Sequence, residues 1–456
     1  DNPAIGYNGL MDNIGIWNRA LSDEEITSNM YDGVNYNSDD ESLLGYWSFN
    51  DVVPPGNQLL DLSGNENHGA IIGAEWSNDA PIPGCNDLAA SNYTEAANTT
   101  INCLYNQGPD WYVAVDGDDT YNDGSEVFPY ATIQKAVDKA GEYGDHSNAQ
   151  TIYISPGTYT ENIVSPEYSY SEDQYGEFQE SISFIGLSEN PEDVIVDGGA
   201  AGSVFHLESQ DYNGEIYFTY SNLTIQNGLS SGDGGGIRHY GGSLFIDNVI
   251  IQNNHLLNNG RGGGLSVAVG DSVSITNSYI IGNGGSGGGT KGGGLYTSNL
   301  CALLIEGCLI NDNEADQGSA IEMNSNGACQ PQETGSYLIK GIEFRGNYEA
   351  ENGDGTSLKS DPVLGARFAS YDTPLQIEDV VFEGNITSET YYGGEVTPII
   401  DIQGIVKLNR VSIINNTSGA GLHAWSSNIG NLGESIYSEI NNSTFSNSGN
   451  YGLIFE

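Results

Sequence analysis

The chain has 456 residues, enough for two or three domains, and sets 62 Asp and Glu against 12 Lys and Arg, a formal charge of −50 at pH 7. A field of that sign repels phosphate backbones and anionic lipid, so it argues against nucleic-acid partners and favours cations, Ca²⁺ above all. No run approaches the ~18–20 apolar residues of a membrane helix, which argues against direct membrane insertion, and the 62 glycines follow no G-X-Y period.

Three zones separate by pattern, residues 1–83, 84–108 and 109–456. Residue 1 is Asp rather than Met and no signal-peptide pattern is present, so the chain reads as a piece of a larger protein. The first zone contains 11-MDNIGIWNRALSDEEI-26, 45-GYWSFND-51 and 61-DLSGNENHGAIIGAEW-76, and Ser22 followed by Glu25 is a capping-box pattern. These phrases resemble the last part of a laminin-G-like, or concanavalin-like, jelly-roll domain, in which a final strand, here Asn13 to Trp17, leads into a capped helix. The resemblance implies part of a β-sandwich whose earlier strands are not in this sequence. Family members often bind glycans or Ca²⁺, but through loops that lie mostly in the absent part, so no binding residue is carried over.

In the second zone Cys85 and Cys103 bracket a short polar loop, which reads as a local disulfide of an oxidising compartment worth roughly 3 kcal/mol. With Asp87, Ala90, Asn92, Tyr93 and Ala97 they resemble the C-x-D-x-x-A-x-N-Y repeat found between domains of large secreted bacterial proteins. The resemblance implies a stapled spacer and no chemistry.

The third zone opens with a strand, an acidic turn and 131-ATIQKAVDKAGEYG-144, where Ile133, Ala136, Val137 and Ala140 fall at helical spacing. With 151-TIYISPGTYTENI-163 this resembles the start of right-handed parallel β-helices of the pectate-lyase type, in which such a helix covers the open end of the solenoid. A cover is physically required, because a bare first rung exposes unpaired backbone and apolar side chains.

From residue 218 one phrase recurs eight times, 26 to 38 residues apart. Its apolar positions are Phe218/Tyr220/Leu223/Ile225, Leu244/Ile246/Val249/Ile251, Val273/Ile275/Ser278/Ile280 and Leu303/Ile305/Cys308/Ile310. The remaining copies are Tyr337/Ile339/Ile342/Phe344, Leu375/Ile377/Val380/Phe382, Val406/Leu408/Val411/Ile413 and Ser438/Ile440/Ser443/Phe445, the last ending on Ser448. A period of two puts alternate side chains on one face, the extra residue between two strands marks a bend, and the glycine triplets 234–236, 262–264 and 292–294 lead into a third strand. Three strands per copy, stacked in register, make one rung of a β-solenoid. Six copies close on Asn254, Asn283, Asn313, Asn347, Asn385 and Asn416. These either bond rung to rung as a stacked ladder or supply residues that tolerate a left-handed turn. The combined pattern resembles polymorphic outer-membrane proteins and related adhesin-like β-helices. The fold expected is all-β, a right-handed parallel β-helix preceded by a partial jelly-roll sandwich.

Candidate chemistry is sparse. Pectate-lyase-type enzymes bind acidic glycans over stacked strands, with Ca²⁺ on the uronate and an Arg or Lys as base, so the resemblance directs attention to Asp233, Arg261, Lys291 and Gln317. These precede the glycine turns of successive rungs, with Arg238 and Glu322 beside them. The column reads as a lyase-like base with a carboxylate neighbour, or as a surface ion pair of Asp233 with Arg261 worth ~0–1 kcal/mol. The turn holding Asp116, Asp118, Asp119, Asn122 and Asp123 is a candidate calcium loop, although it lacks the EF-hand Gly and Glu. His239, in line with Val267 and Thr297, reads as a half-buried packing residue, Cys308 as a buried free thiol, and Cys301 with Cys329 as a second bridge. No Ser-His-Asp arrangement or zinc spacing appears.

These readings converge on a structural or adhesive segment of a large secreted or cell-surface bacterial protein. It would be a rigid β-helical stalk partnered by other domains or copies of the same protein and by surface glycans. The alternative is a polysaccharide lyase or glycan-binding module of the pectate-lyase superfamily. The segment 451-YGLIFE-456 reads as the start of a further strand, to be covered by more rungs or by a neighbouring copy.

Overall fold

A computed structural model describes residues 9–23, 25–26, 29, 42–49, 58–77, 84–88, 90, 92–95, 97, 103–143, 148–165, 181–209, 216–268, 272–285, 289–325, 336–349, 362–368, 374–387, 397–417, 420–425, 438–446 and 451–455. The chain divides into two compact units, Asp1–Tyr105 and Asn106–Glu456.

In the first unit the described strands form two antiparallel pairs, Ile14–Trp17 with Leu43–Trp47 and Gln58–Leu59 with Gly69–Ala70. Ser22 and Glu25 form a reciprocal cap, Ser22 N–H to Glu25 Oε2 at 2.8 Å and Glu25 N–H to Ser22 Oγ at 3.2 Å, and Arg19 clamps the same carboxylate at 2.6 and 2.8 Å. Asp61 organises the turn that follows, accepting from the N–H groups of Tyr46, Ser63 and Asn67 and from Ser63 Oγ. Burial pushes this carboxyl up, but those four donors outweigh it and hold it below the usual range. Cys85 and Cys103 are bonded, with Cα atoms 4.9 Å apart.

The second unit is a parallel β-helix. Its first strand, Asp110–Val113, pairs with Gln150–Ile154 and is followed by the α-helix Ile133–Tyr143. That helix buries Ile133, Ala136, Val137 and Ala140 in the same cluster as Trp111. Thr132 Oγ1 accepts from Lys135 N–H at 3.2 Å, and Glu161, from the next strand region, accepts from Ile133 and Gln134 N–H, both at 3.0 Å. Donors that an isolated helix start leaves unpaired are thus met by the coil beneath.

Each later coil contributes a strand to each of three faces. The first face stacks Ile182–Gly186, then the front half of Tyr217–Gln226, then the front half of Ser243–Gln252, then Ser272–Thr276 and Ala302–Glu306 onward. The second face follows after one bend, and the third is a separate parallel sheet of ten strands from Ile163–Val164 to Tyr451–Phe455. The repeat read from sequence is the structural register. Phe218 pairs with Leu244, Leu244 with Val273, Val273 with Leu303, Leu303 with Tyr337, Tyr337 with Leu375 and Leu375 with Val406. Ser448 lies outside the described residues. The earlier coil carrying Ile182–Gly186, Val194–Asp197 and Phe205–Glu208 belongs to the same stack, although it has neither a glycine triplet nor a closing Asn.

The inward side chains form one continuous core, with Phe184 stacked on Tyr220 at 5.1 Å and Phe344 on Phe382 at 4.4 Å. Beside it run the asparagines. In each step the next residue's Oδ1 accepts from the backbone N–H and from Nδ2 of the one before, as Asn283 does from Asn254 at 3.1 and 3.0 Å, and Asn347 does from Asn313 at 3.0 and 3.0 Å. The remaining Nδ2 hydrogen goes to a strand carbonyl of the preceding coil, Ile251 for Asn283 and Phe382 for Asn416. The left-handed conformation belongs to the residue just before the ladder position, Asn253, Gly282, Asp312, Gly346, Gly384 or Asn415. Ladder and turn are therefore separate jobs done by adjacent residues.

Candidate functional site

Alternation on the third face points one row of side chains outward: His206, Arg238, Ser266, Tyr296, Glu322, Gly365, Asp401 and His423, in register from coil to coil. The middle of this row is sunk, since Ser266, Tyr296 and Glu322 are 3%, 3% and 2% exposed. The Glu322 carboxylate leans over the following coil, where a Cβ on Gly365 would meet Oε2 at 2.0 Å. A side chain at 365 would displace that carboxylate.

A flanking column runs at the turn into the third face. Arg261 bridges to Lys291 and Lys291 to Gln317, while Gly234 N–H donates to the Arg261 carbonyl at 2.8 Å. Asp233, Arg261, Lys291 and Gln317 thus occupy successive coils at ~4.8 Å steps. The expected Asp233–Arg261 ion pair is not what forms. Asp233 Oδ1 accepts from the Arg261 backbone N–H at 2.9 Å, and the guanidinium lies over the Tyr296 ring, 5.3 Å from its centroid. Burial, against the pull of Arg261, holds the Tyr296 phenol above its ordinary range. Among the described residues neither the Arg261 guanidinium nor the Lys291 ammonium meets a carboxylate.

Both ends of the row hold His–carboxylate pairs. His206 Nε2 lies 2.7 Å from Glu208 Oε1, with Arg238 3.4 Å from the same oxygen, and His423 Nδ1 lies 2.9 Å from Asp401 Oδ1. The hydrogen bond from His206 outweighs burial and, with Arg238 nearby, holds the Glu208 carboxyl below the usual carboxylate range.

In the acidic turn proposed for calcium, three carboxylates accept from nearby donors. Asp118 Oδ1 accepts from Thr120 and Tyr121 N–H, Asp119 from Ala131 N–H, Thr132 N–H and Thr132 Oγ1, and Asp123 from Asn106 and Ser125 N–H. Asn122 Nδ2 donates to the Pro129 carbonyl and Asp116 is exposed. The carboxylates turn toward separate N–H donors instead of converging, and among the described residues no three His, Cys, Asp or Glu are placed to hold a metal ion. Their work is to shape the loop and start the helix.

His239 is buried rather than half-buried, at 1% exposure in the inward row between Leu207 and Val267. The Cys308 thiol is buried and free, and burial pushes it up to about 11. Cys301 is disulfide-bonded, and Cys329 lies outside the described residues. Sequence inspection named Glu322 but missed Ser266 and Tyr296 and the sinking of this row. The signal was there in period two from Leu265, Leu295 and Ile321, but burial of an outward row depends on what lies over it.

No protein-family profile and no curated protein sequence matches the chain. Among solved structures it is similar to Escherichia coli YbhC, at 15% identity over 81% of this chain and 90% of that one, with a TM-score of 0.33. It is similar also to a pectin methylesterase from carrot, at 14% identity over 78% and 90%, with a TM-score of 0.30. The catalytic domain of a GH87 α-1,3-glucanase matches at 15% identity over 78% and 62%, with a TM-score of 0.35. At these values the likeness extends no further than the fold.

Proposed function

We propose that the β-helix is a glycan-binding module that takes an anionic carbohydrate chain along its third face, beside Arg261 and Lys291. One observation carries this reading. In a chain with 62 acidic and 12 basic residues, two cations stand in consecutive coils and neither is neutralised by a carboxylate among the described residues. An anion beside them would meet two cations with no competing carboxylate among the described residues, although the charge of −50 opposes its approach at longer range. Other cations are paired across coils, as Lys340 is with Glu306, Arg345 with Glu383 and Lys407 with Glu439. The same cross-coil pairs and the asparagine ladder favour a stiff rod, so the module would present its ligand at a fixed place on an extended secreted or cell-surface protein.

The test is titration calorimetry with oligogalacturonate and with a neutral oligosaccharide of equal length, on the wild type and on the Arg261→Ala/Lys291→Ala double variant. Binding of the acidic oligomer alone, weakened by salt and lost in the double variant, is expected. Equal binding of both oligomers, or no effect of the double substitution, sinks the reading. Appearance of unsaturated, ultraviolet-absorbing products during the titration would replace binding with elimination as the function.

A further inference from the structure

The inner row of the third face contains one imidazole. His239 sits between Leu207 of the coil before and Val267 of the coil after, with its ring edge-on to Phe218 at 4.8 Å between centroids. Neither Nδ1 nor Nε2 has a hydrogen-bond partner of good geometry, and both atoms are out of reach of solvent. The groups that face it decide what this means. Phe218 meets the ring directly and the backbone of Gly241 and Gly242 lies near it, while the other inward residues of its own coil, Tyr220, Leu223 and Ile225, and of the neighbouring third-face strands, Phe205, Leu207, Leu265 and Val267, are all buried. The inward titratable group among them is the Tyr220 phenol, itself without a partner, and burial holds it neutral at any ordinary pH. The charged side chains of the same strands, Glu208 and Arg238, alternate to the outer side of the sheet and pair with each other there. No inward-facing carboxylate among the described residues of these strands could accept a charged imidazole.

We propose that His239 is an acid-sensitive latch: protonating it opens the coil spanning residues 217–242, which is closed while the ring is neutral. The proposal does not rest on the glycan reading, although the same coil carries Asp233, which holds the Arg261 backbone. The physical cause is that an imidazolium in an apolar interior has lost its hydration and has no carboxylate and no hydrogen-bond partner of good geometry to replace it. Burial pushes the ring down to about 4 from an ordinary value of 6.5, against a weaker opposing pull from the backbone of Gly242 and Gly241. The sign follows. An opened coil binds the proton below pH 6.5 and the closed one only near 4, so closure weakens as pH falls between those values and levels off below. That gap multiplies the opening constant by up to about 300-fold. Glu208, whose carboxyl is held low, contributes stability above the ordinary Glu range and loses it only as pH falls below that range, a more acidic window.

The experiment is amide hydrogen exchange of the full chain at pH 7.0, 5.5 and 4.5, corrected for intrinsic rates and resolved by peptide, on the wild type and on His239→Leu. In the wild type, peptides within 217–242 should lose protection by one to two orders of magnitude more than those within 398–414. His239→Leu should remove that excess. Should the variant fold poorly, the wild-type contrast between the two segments decides alone. Parallel loss in both segments of the wild type, or an undiminished excess in a folded variant, overturns the latch.

Discussion

The short coils and the long coils of this β-helix share one register and solve the turn into the third face in two ways. Between Phe218 and Leu303 the repeat step is 26 to 30 residues and the turn is a glycine triplet, while from Leu303 to Val406 the step is 31 to 38. The residue aligned at the entry to the third face is Gly236, Gly264 or Gly294 in the first group and Ala320, Val363 or Ile399 in the second. In the short coils a Cβ at 264 would come within 2.6 Å of the Gly294 carbonyl oxygen and 3.0 Å of the Asn283 amide carbon. In the long coils the equivalent methyl groups are buried and belong to the core. Of the three glycines only the first is demanded by backbone conformation, since Gly234, Gly262, Gly292 and Gly318 all take φ between 59° and 69°. The other two are demanded by closeness, which ends where the coil lengthens. A glycine-rich repeat is therefore a record of how tightly neighbouring coils are pressed, and the solenoid does not depend on it.

The largest blow to this contrast is a charge where the two solutions meet the core. Ile280 is buried and a Cβ on Gly294 would touch its Cγ2 at 3.1 Å, so Ile280→Asp should cost more than about 4 kcal/mol. It should open the short coils to limited proteolysis before the long ones, and unchanged resistance would refute the register. Next in size, Gly264→Val should destabilise by about 3 kcal/mol through backbone overlap. Val363→Gly removes core volume instead and should cost about 2 kcal/mol with no overlap. Urea unfolding that ranks these two the other way would show that short coils have slack. Asn313→Ala should cost about 2 kcal/mol by stranding the buried Asn283 backbone and amide hydrogens, and Asn416→Ala should cost less, its site being 5% exposed. Equal losses would mean that the ladder is loose throughout. Smallest is Arg410→Gly. Arg410 holds φ 55° at the bend where Gly307 and Gly341 stand in other coils, and its ion pair with Asp379 is on the surface. A slight rise in Tm is expected, and a clear fall would show that the pair outweighs the strain.

Much of this architecture was legible because alternation is a property of the backbone. Any strand of period two commits Leu244, Ile246, Val249 and Ile251 to one side, whatever lies across from them. The helix at 133–143, the stapled loop at Cys85 and Cys103 and the alignment of Asp233, Arg261 and Lys291 were read on similar local grounds. The coil of residues 182–208 went unread because its turns have neither glycine triplet nor asparagine, so it shares the core pattern without the punctuation. What the carboxylates of the acidic turn face is not legible, because residue types alone do not say it. Asp119 faces Ala131 and Thr132 N–H, donors that exist only once the helix starts there.

The division between the two levels is physical. The sequence by itself determined periodicity, register and the length of each coil, since these follow from chain geometry and the order of apolar side chains. Tertiary structure alone decided which polar groups are satisfied. Glu161 is answered by a helix start 27 and 28 residues away, and Asn254 by an asparagine 29 residues on. His239 meets no hydrogen-bond partner of good geometry, and Arg261 meets a ring rather than a carboxylate. Hydrogen bonds and charges act over a few ångströms, and only the stacked coils bring those distances into being.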